Sequence, residues 1–139
     1  KIDKKFIENL LTDAKDLFKE NYNNEKIMHI LIKNYLLDGV SHISFEDNFH
    51  GDLFCLELQI KSISRNFIFE INKLLEKYQI QVIDYMDGKY IRNFFLTDNI
   101  LFSEMVYKIK DGFNDNEVKL VPKNTKKASF FEKFFQLFS

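Results

Sequence analysis

The chain of 139 residues contains one cysteine, one proline, four glycines and no tryptophan. A lone Cys55 excludes an intrachain disulfide and fits a reducing compartment. Gly39, Gly51, Gly88 and Gly112 stand singly and far apart. A phosphate-cradling loop needs neighbouring residues that tolerate close backbone approach, so no nucleotide cofactor is expected. No apolar run reaches eighteen residues, and Lys1, Asp3, Lys4 and Lys5 around Ile2 do not read as a signal peptide. Twenty basic against twenty-one acidic side chains give a net charge of −1, so no whole-domain field would collect nucleic acid. What is abundant is phenylalanine, sixteen in all, within a 45% hydrophobic and 29% charged chain. That balance belongs to one folded domain.

Periodicity places the elements. Residues 3–19 read as a helix capped by Asp3, with Ile2, Phe6, Leu10, Ala14 and Leu17 in one stripe, Ile7, Leu11 and Phe18 widening it, and Lys4, Glu8, Lys15 and Lys19 outward. Lys26–Ile32 and Tyr35–Leu37 read as strand segments, the second stopped by the turn signal Asp38-Gly39. Phe54, Leu56, Leu58 and Ile60 alternate with Cys55, Glu57, Gln59 and Lys61, as a half-buried strand requires. Cys55 is expected as a small core or interface hydrophobe. Ser64 caps a second helix to about Tyr78, with Phe67, Ile71, Leu74 and Tyr78 on its core face, and a strand is expected from Ile80. These elements make an α+β fold: a small, mostly antiparallel sheet packed by two helices. Residues 1–86 form its domain, and 87–121 an extension that would complete the sheet or append to it. Within that extension Ile100–Ile109 fits helix or strand, and Glu117–Val121 a short strand stopped by Pro122.

The end of the chain differs in character. Residues 119–139 carry five Lys and one Glu, so +4 there stands against −5 on the rest. A basic linker, 122–128, leads to an amphipathic helix over 129–139 that Ser129 caps. Phe130, Phe131, Phe134, Phe135, Leu137 and Phe138 fill an arc of roughly 160° at the helical repeat. Lys123, Lys126, Lys127 and Lys133 supply attraction to an anionic membrane surface. Ordering eleven residues costs about 15 kcal/mol, which six partly buried large side chains and the lysines roughly offset. One copy binds weakly, and firm attachment needs several copies linked together.

Catalytic chemistry has little to stand on. His29, His42 and His50 are the only histidines, and none joins Cys55 at metal-ligand spacing, so no metal is expected. Asp38, Glu46, Asp47 and Asp52 read as solvated turn residues, and no nucleophile elbow occurs.

The stretch His29-Ile30-Leu31-Ile32-Lys33-Asn34-Tyr35-Leu36-Leu37-Asp38-Gly39 resembles the "H-V-I-P-x-x-Y-x-V-D-G" segment of FtsA, the bacterial cell-division actin homologue, with His29, Tyr35, Asp38 and Gly39 on matching positions. Gly51 and the strand after it are similar to that family's "G-M-S-G-x-x-L-E-V-E-V-H". Asn66–Tyr78 and the following strand resemble its "N-L-x-K-C-x-E-x-A-G-L-x-V". Ile32 stands where the family has proline, Phe49-His50 replaces Met-Ser, and the glycine-rich ATPase core has no counterpart. The resemblance implies an SHS2-like 1C subdomain with the family's C-terminal membrane helix. It further implies a non-enzymatic interaction protein that binds itself or other division proteins, peripherally on the cytoplasmic side of the bacterial inner membrane. Pilus-assembly relatives of the actin-like superfamily carry a similar subdomain. The competing expectation is a soluble α+β regulatory or ligand-binding domain with its last helix packed on the core.

Overall fold

The computed structural model describes residues 1–119. The linker 122–128, the helix expected over 129–139 and all the membrane-facing residues named above lie outside the described residues.

The chain folds as a small α+β domain: α1 (Lys4–Asn21), β1 (Glu25–Leu37), β2 (Val40–His42), β3 (Phe54–Ser64), α2 (Arg65–Glu76), α3 (Gly88–Phe94) and α4 (Phe102–Lys110). The sheet is antiparallel in the order β2-β1-β3. The Asp3 carboxylate caps α1 by accepting from the Phe6 N–H at 2.9 Å, as its position before the apolar stripe predicts. The two expected strand segments around Lys33 are one strand. It is kept continuous by two bulges, since β1 steps from Ile27 to His29 and from Ile32 to Asn34 while β3 advances one residue each time. Each extra residue resets the alternation, so Ile27, Ile30, Ile32 and Tyr35 all reach the α1 side.

There they pack with Ile7, Leu11, Phe49 and Val118, and the half-buried Phe54, Leu56, Leu58 and Ile60 of β3 complete that core. Leu31 points the other way, against Tyr90, Ile91 and Phe95 around α3 and Ile109 of α4. The sheet is thus covered by α1 on one face and by α3 and α4 on the other.

Several expectations are corrected. The buried stripe of α1 is Ile7–Leu11–Lys15, one column round from Phe6–Leu10–Leu17, and Phe6 and Leu17 are exposed. Lys15, expected outward, is only 6% exposed because it continues the column of Ile7 and Leu11. Instead of two helices covering the sheet, α2 buries no residue at all. Ser64 does cap it, but Phe67, Leu74 and Tyr78 are exposed, and its half-buried residues are Ile68, Ile71 and Leu75. Cys55 is exposed, since it lies on the polar face of β3.

No strand forms from Ile80. Gln79, at φ 58°, closes α2 with the Ile80 N–H donating to the Leu75 carbonyl, and the chain then leaves the sheet. The side of β1 away from β3 carries β2 and Glu117, which bridges Leu31.

Candidate functional site

The family-like residues do not form one site. Asp38 and Gly39 both take positive φ, 48° and 81°, which a two-residue hairpin between Leu37 and Val40 requires. The Asp38 Oδ1 accepts from the Asp52 and Leu53 N–H groups at 3.0 and 2.8 Å, binding the long β2–β3 connection to the hairpin. A Cβ on Gly51 would sit 2.5 Å from Asp38 Oδ2 and 2.6 Å from Leu37 Cδ1, so glycine is what allows that approach. Tyr35, fully buried, donates its hydroxyl hydrogen to Asn116 Oδ1 at 3.2 Å. Burial and then Asp115 push the Tyr35 phenol up to about 12. Asp38, Gly39 and Gly51 thus close the hairpin and its loop, while Tyr35 ties β1 to residue 116.

His29 lies at the other end of β1 in a separate buried cluster. Its Nδ1 meets Glu117 Oε1 at 2.5 Å, and both side chains are wholly buried. Its Nε2 takes the Asp87 N–H at 2.8 Å, which fixes the Nδ1–H tautomer, because a backbone N–H can only donate. The edge of the imidazole meets the Tyr90 ring, with centroids 4.7 Å apart. Burial and the Glu117 charge raise the Tyr90 phenol well above its ordinary value. Both ring nitrogens of His29 are therefore spent on structure, and no nucleophile faces them. A carboxylate beside a histidine here ties residues 87 and 117 to β1. The sequence carries no signal for that pair, whose members are 88 positions apart.

Two surfaces remain. The first is α2, with Phe67, Phe69 and Leu74 exposed and polar residues between them. The second is the point where the chain passes into its basic end. Burial, then Lys119 and Lys19, bring the Lys15 ammonium down to about 8. Lys119 is lowered in turn by burial and by Lys26, against the pull of Glu117 and Asp84. Lysines from α1, β1 and the chain's exit thus share one region. Among the described residues no group of His, Cys, Asp and Glu can hold a metal ion, and no helix is long and apolar enough to cross a membrane.

Compared with known proteins, the chain matches no protein-family model, no curated protein and no solved structure.

Proposed function

We propose that this chain is a protein-interaction and membrane-attachment module of the FtsA kind: an SHS2-like α+β body that binds itself or division partners, held to the cytoplasmic face of the bacterial inner membrane by its C-terminal segment. It has no catalytic role. The observation that carries the reading is α2. Its Phe67, Phe69 and Leu74 find no core within the described residues, and an exposed apolar set of that size is a surface built to be covered. The element order α1-β1-β2-β3-α2 also runs through the three FtsA-like segments in turn, which supports the reading. The missing strand after Ile80 departs from it.

The test uses the full chain and anionic vesicles. Phe134→Glu places a charge in the middle of the apolar arc and should abolish co-sedimentation with vesicles at an unchanged thermal midpoint. Should wild type ignore vesicles while F134E melts far lower, the last helix belongs to the core and the soluble α+β reading takes over.

A further inference from the structure

The strand β3 pairs with β1 on one side, and among the described residues nothing pairs with its other side. It is eleven residues long, and both bulges of the ladder fall in β1, so β3 itself runs without an inserted residue. Natural edges are usually short, bulged, covered or interrupted by proline, because a long regular edge is a template for another strand. The charges of Glu57 and Lys61 are what ordinarily blunts such an edge.

The sequence of β3 turns that obstacle into a specification. Laid antiparallel on itself about Gln59, the strand sets Glu57 opposite Lys61 of the second copy, and by symmetry Lys61 opposite Glu57. On the other face Leu58 meets Ile60. Both positions 57 and 61 fall on the α3 side, where Glu57 Oε2 accepts from Asn34 at 2.6 Å and Lys61 has no ion pair among the described residues. Moving the axis to Leu58 or Ile60 loses both opposite-charge pairs. Centring it on Glu57 or Lys61 sets like charges face to face. The same register brings Ser64 opposite Phe54 of the second copy, so the first turn of α2, with Phe67 54% exposed, begins at that residue.

We infer that β3 is a self-association edge: two copies join antiparallel about Gln59 into one continuous six-stranded sheet. This rests on the interaction-module reading and makes its partner a second copy of the chain. A two-fold axis normal to the sheet keeps the α1 faces on one side, so the interface closes as a dimer.

Sedimentation velocity on the full chain decides it. Wild type should dimerise. Glu57→Lys and Lys61→Glu, each alone, place like charges at both crossings and should weaken the dimer at least about tenfold in Kd. An equimolar mixture of E57K and K61E should dimerise again, since every crossing then holds opposite charges, and that rescue also shows that both variants are folded. Failure of the mixture to dimerise, or single variants as dimeric as wild type, overturns the register. A monomeric wild type that still binds anionic vesicles overturns the edge pairing and leaves the module reading standing. One that binds no vesicles removes both.

Discussion

Truncating Glu117 to Ala tests how the fold is closed. The carboxylate is fully buried, receives the His29 Nδ1–H through Oε1 at 2.5 Å, and takes the Ile30 N–H at 3.2 Å and the Lys119 N–H at 3.4 Å through Oε2. Alanine leaves the imidazole N–H and the Ile30 amide without an acceptor in a site closed to water. The Nδ1–H tautomer leaves no charge stranded, so the loss is that of two unsatisfied donors at about 1–3 kcal/mol each. E117A should therefore destabilise by about 2–6 kcal/mol in urea unfolding followed by far-ultraviolet circular dichroism. The m-value should not change, because the surface exposed on unfolding is nearly the same. Glu117→Gln separates geometry from charge. Its amide oxygen still accepts from His29, while its NH2 meets the Ile30 N–H donor to donor, so E117Q should cost about 1–2 kcal/mol. Equal losses in E117Q and E117A, or an E117A midpoint matching wild type, would refute the assignment of this pair as the clasp holding residues 87 and 117 to β1.

Gly51→Ala should destabilise by about 1–3 kcal/mol, because the new methyl displaces the Asp38 carboxylate from the Asp52 and Leu53 amides. In an Asp38→Ala background the same change should cost much less, and additive losses in that double-mutant cycle would show that the two residues are not coupled. Lys15 predicts a pH dependence. Its ammonium holds a proton to about 8 when folded and to 10.5 when unfolded, so the unfolded state binds more protons between those values. Stability should therefore rise by about 1–3 kcal/mol across that window relative to Lys15→Met. Paired melts kept below pH 10 avoid the opposing loss from Tyr35, whose phenol ionises more readily unfolded, and parallel profiles for the two proteins would dismiss the buried lysine as the cause.

Local signals were legible where one residue does one job. Asp3 and Ser64 cap helices, Asp38-Gly39 turns the hairpin, and the alternation from Phe54 to Lys61 makes β3. Face assignments failed where apolar residues outnumber one face. Residues 6, 7, 10, 11, 14, 17 and 18 of α1 support two adjacent stripes, and the core of β1 selected the one ending in Lys15. In α2 periodicity gives one apolar face, opposite Asn66, Glu70 and Lys73, but it does not say what covers that face, and only Ile68, Ile71 and Leu75 are half-buried. The strand expected from Ile80 had the right composition, yet residues 80–86 join no strand although the outer edge of β3 stands open, and composition carries no signal for that. The His29–Glu117 clasp joins distant positions and leaves no periodic trace. Bulges at Met28 and Lys33 are invisible for a related reason: each is only one extra residue, and it acts through the partner strand.

The proposed edge pairing and the proposed membrane tail would answer each other's weakness. The Phe-rich helix expected from the sequence would sit near zero net binding energy, so one copy would hold a membrane poorly. Pairing through β3 places two tails on one body. Residues 116–118 run antiparallel to β1 from Ile32 toward Ile30, so the chain leaves the sheet toward the end where β1 starts and α2 begins. In the paired sheet the two exits lie about five strand spacings apart, roughly 24 Å across the sheet, and offset by about 13 Å along it. Ten residues of chain can span up to about 33 Å when extended, more than the distance between those exits. On the proposed reading the second tail would bind at the effective concentration set by the first, which would make a marginal anchor firm without any new contact to lipid. An edge left unpaired would be a hazard in a monomer. In the proposed dimer it would supply the multivalency that the proposed anchor requires.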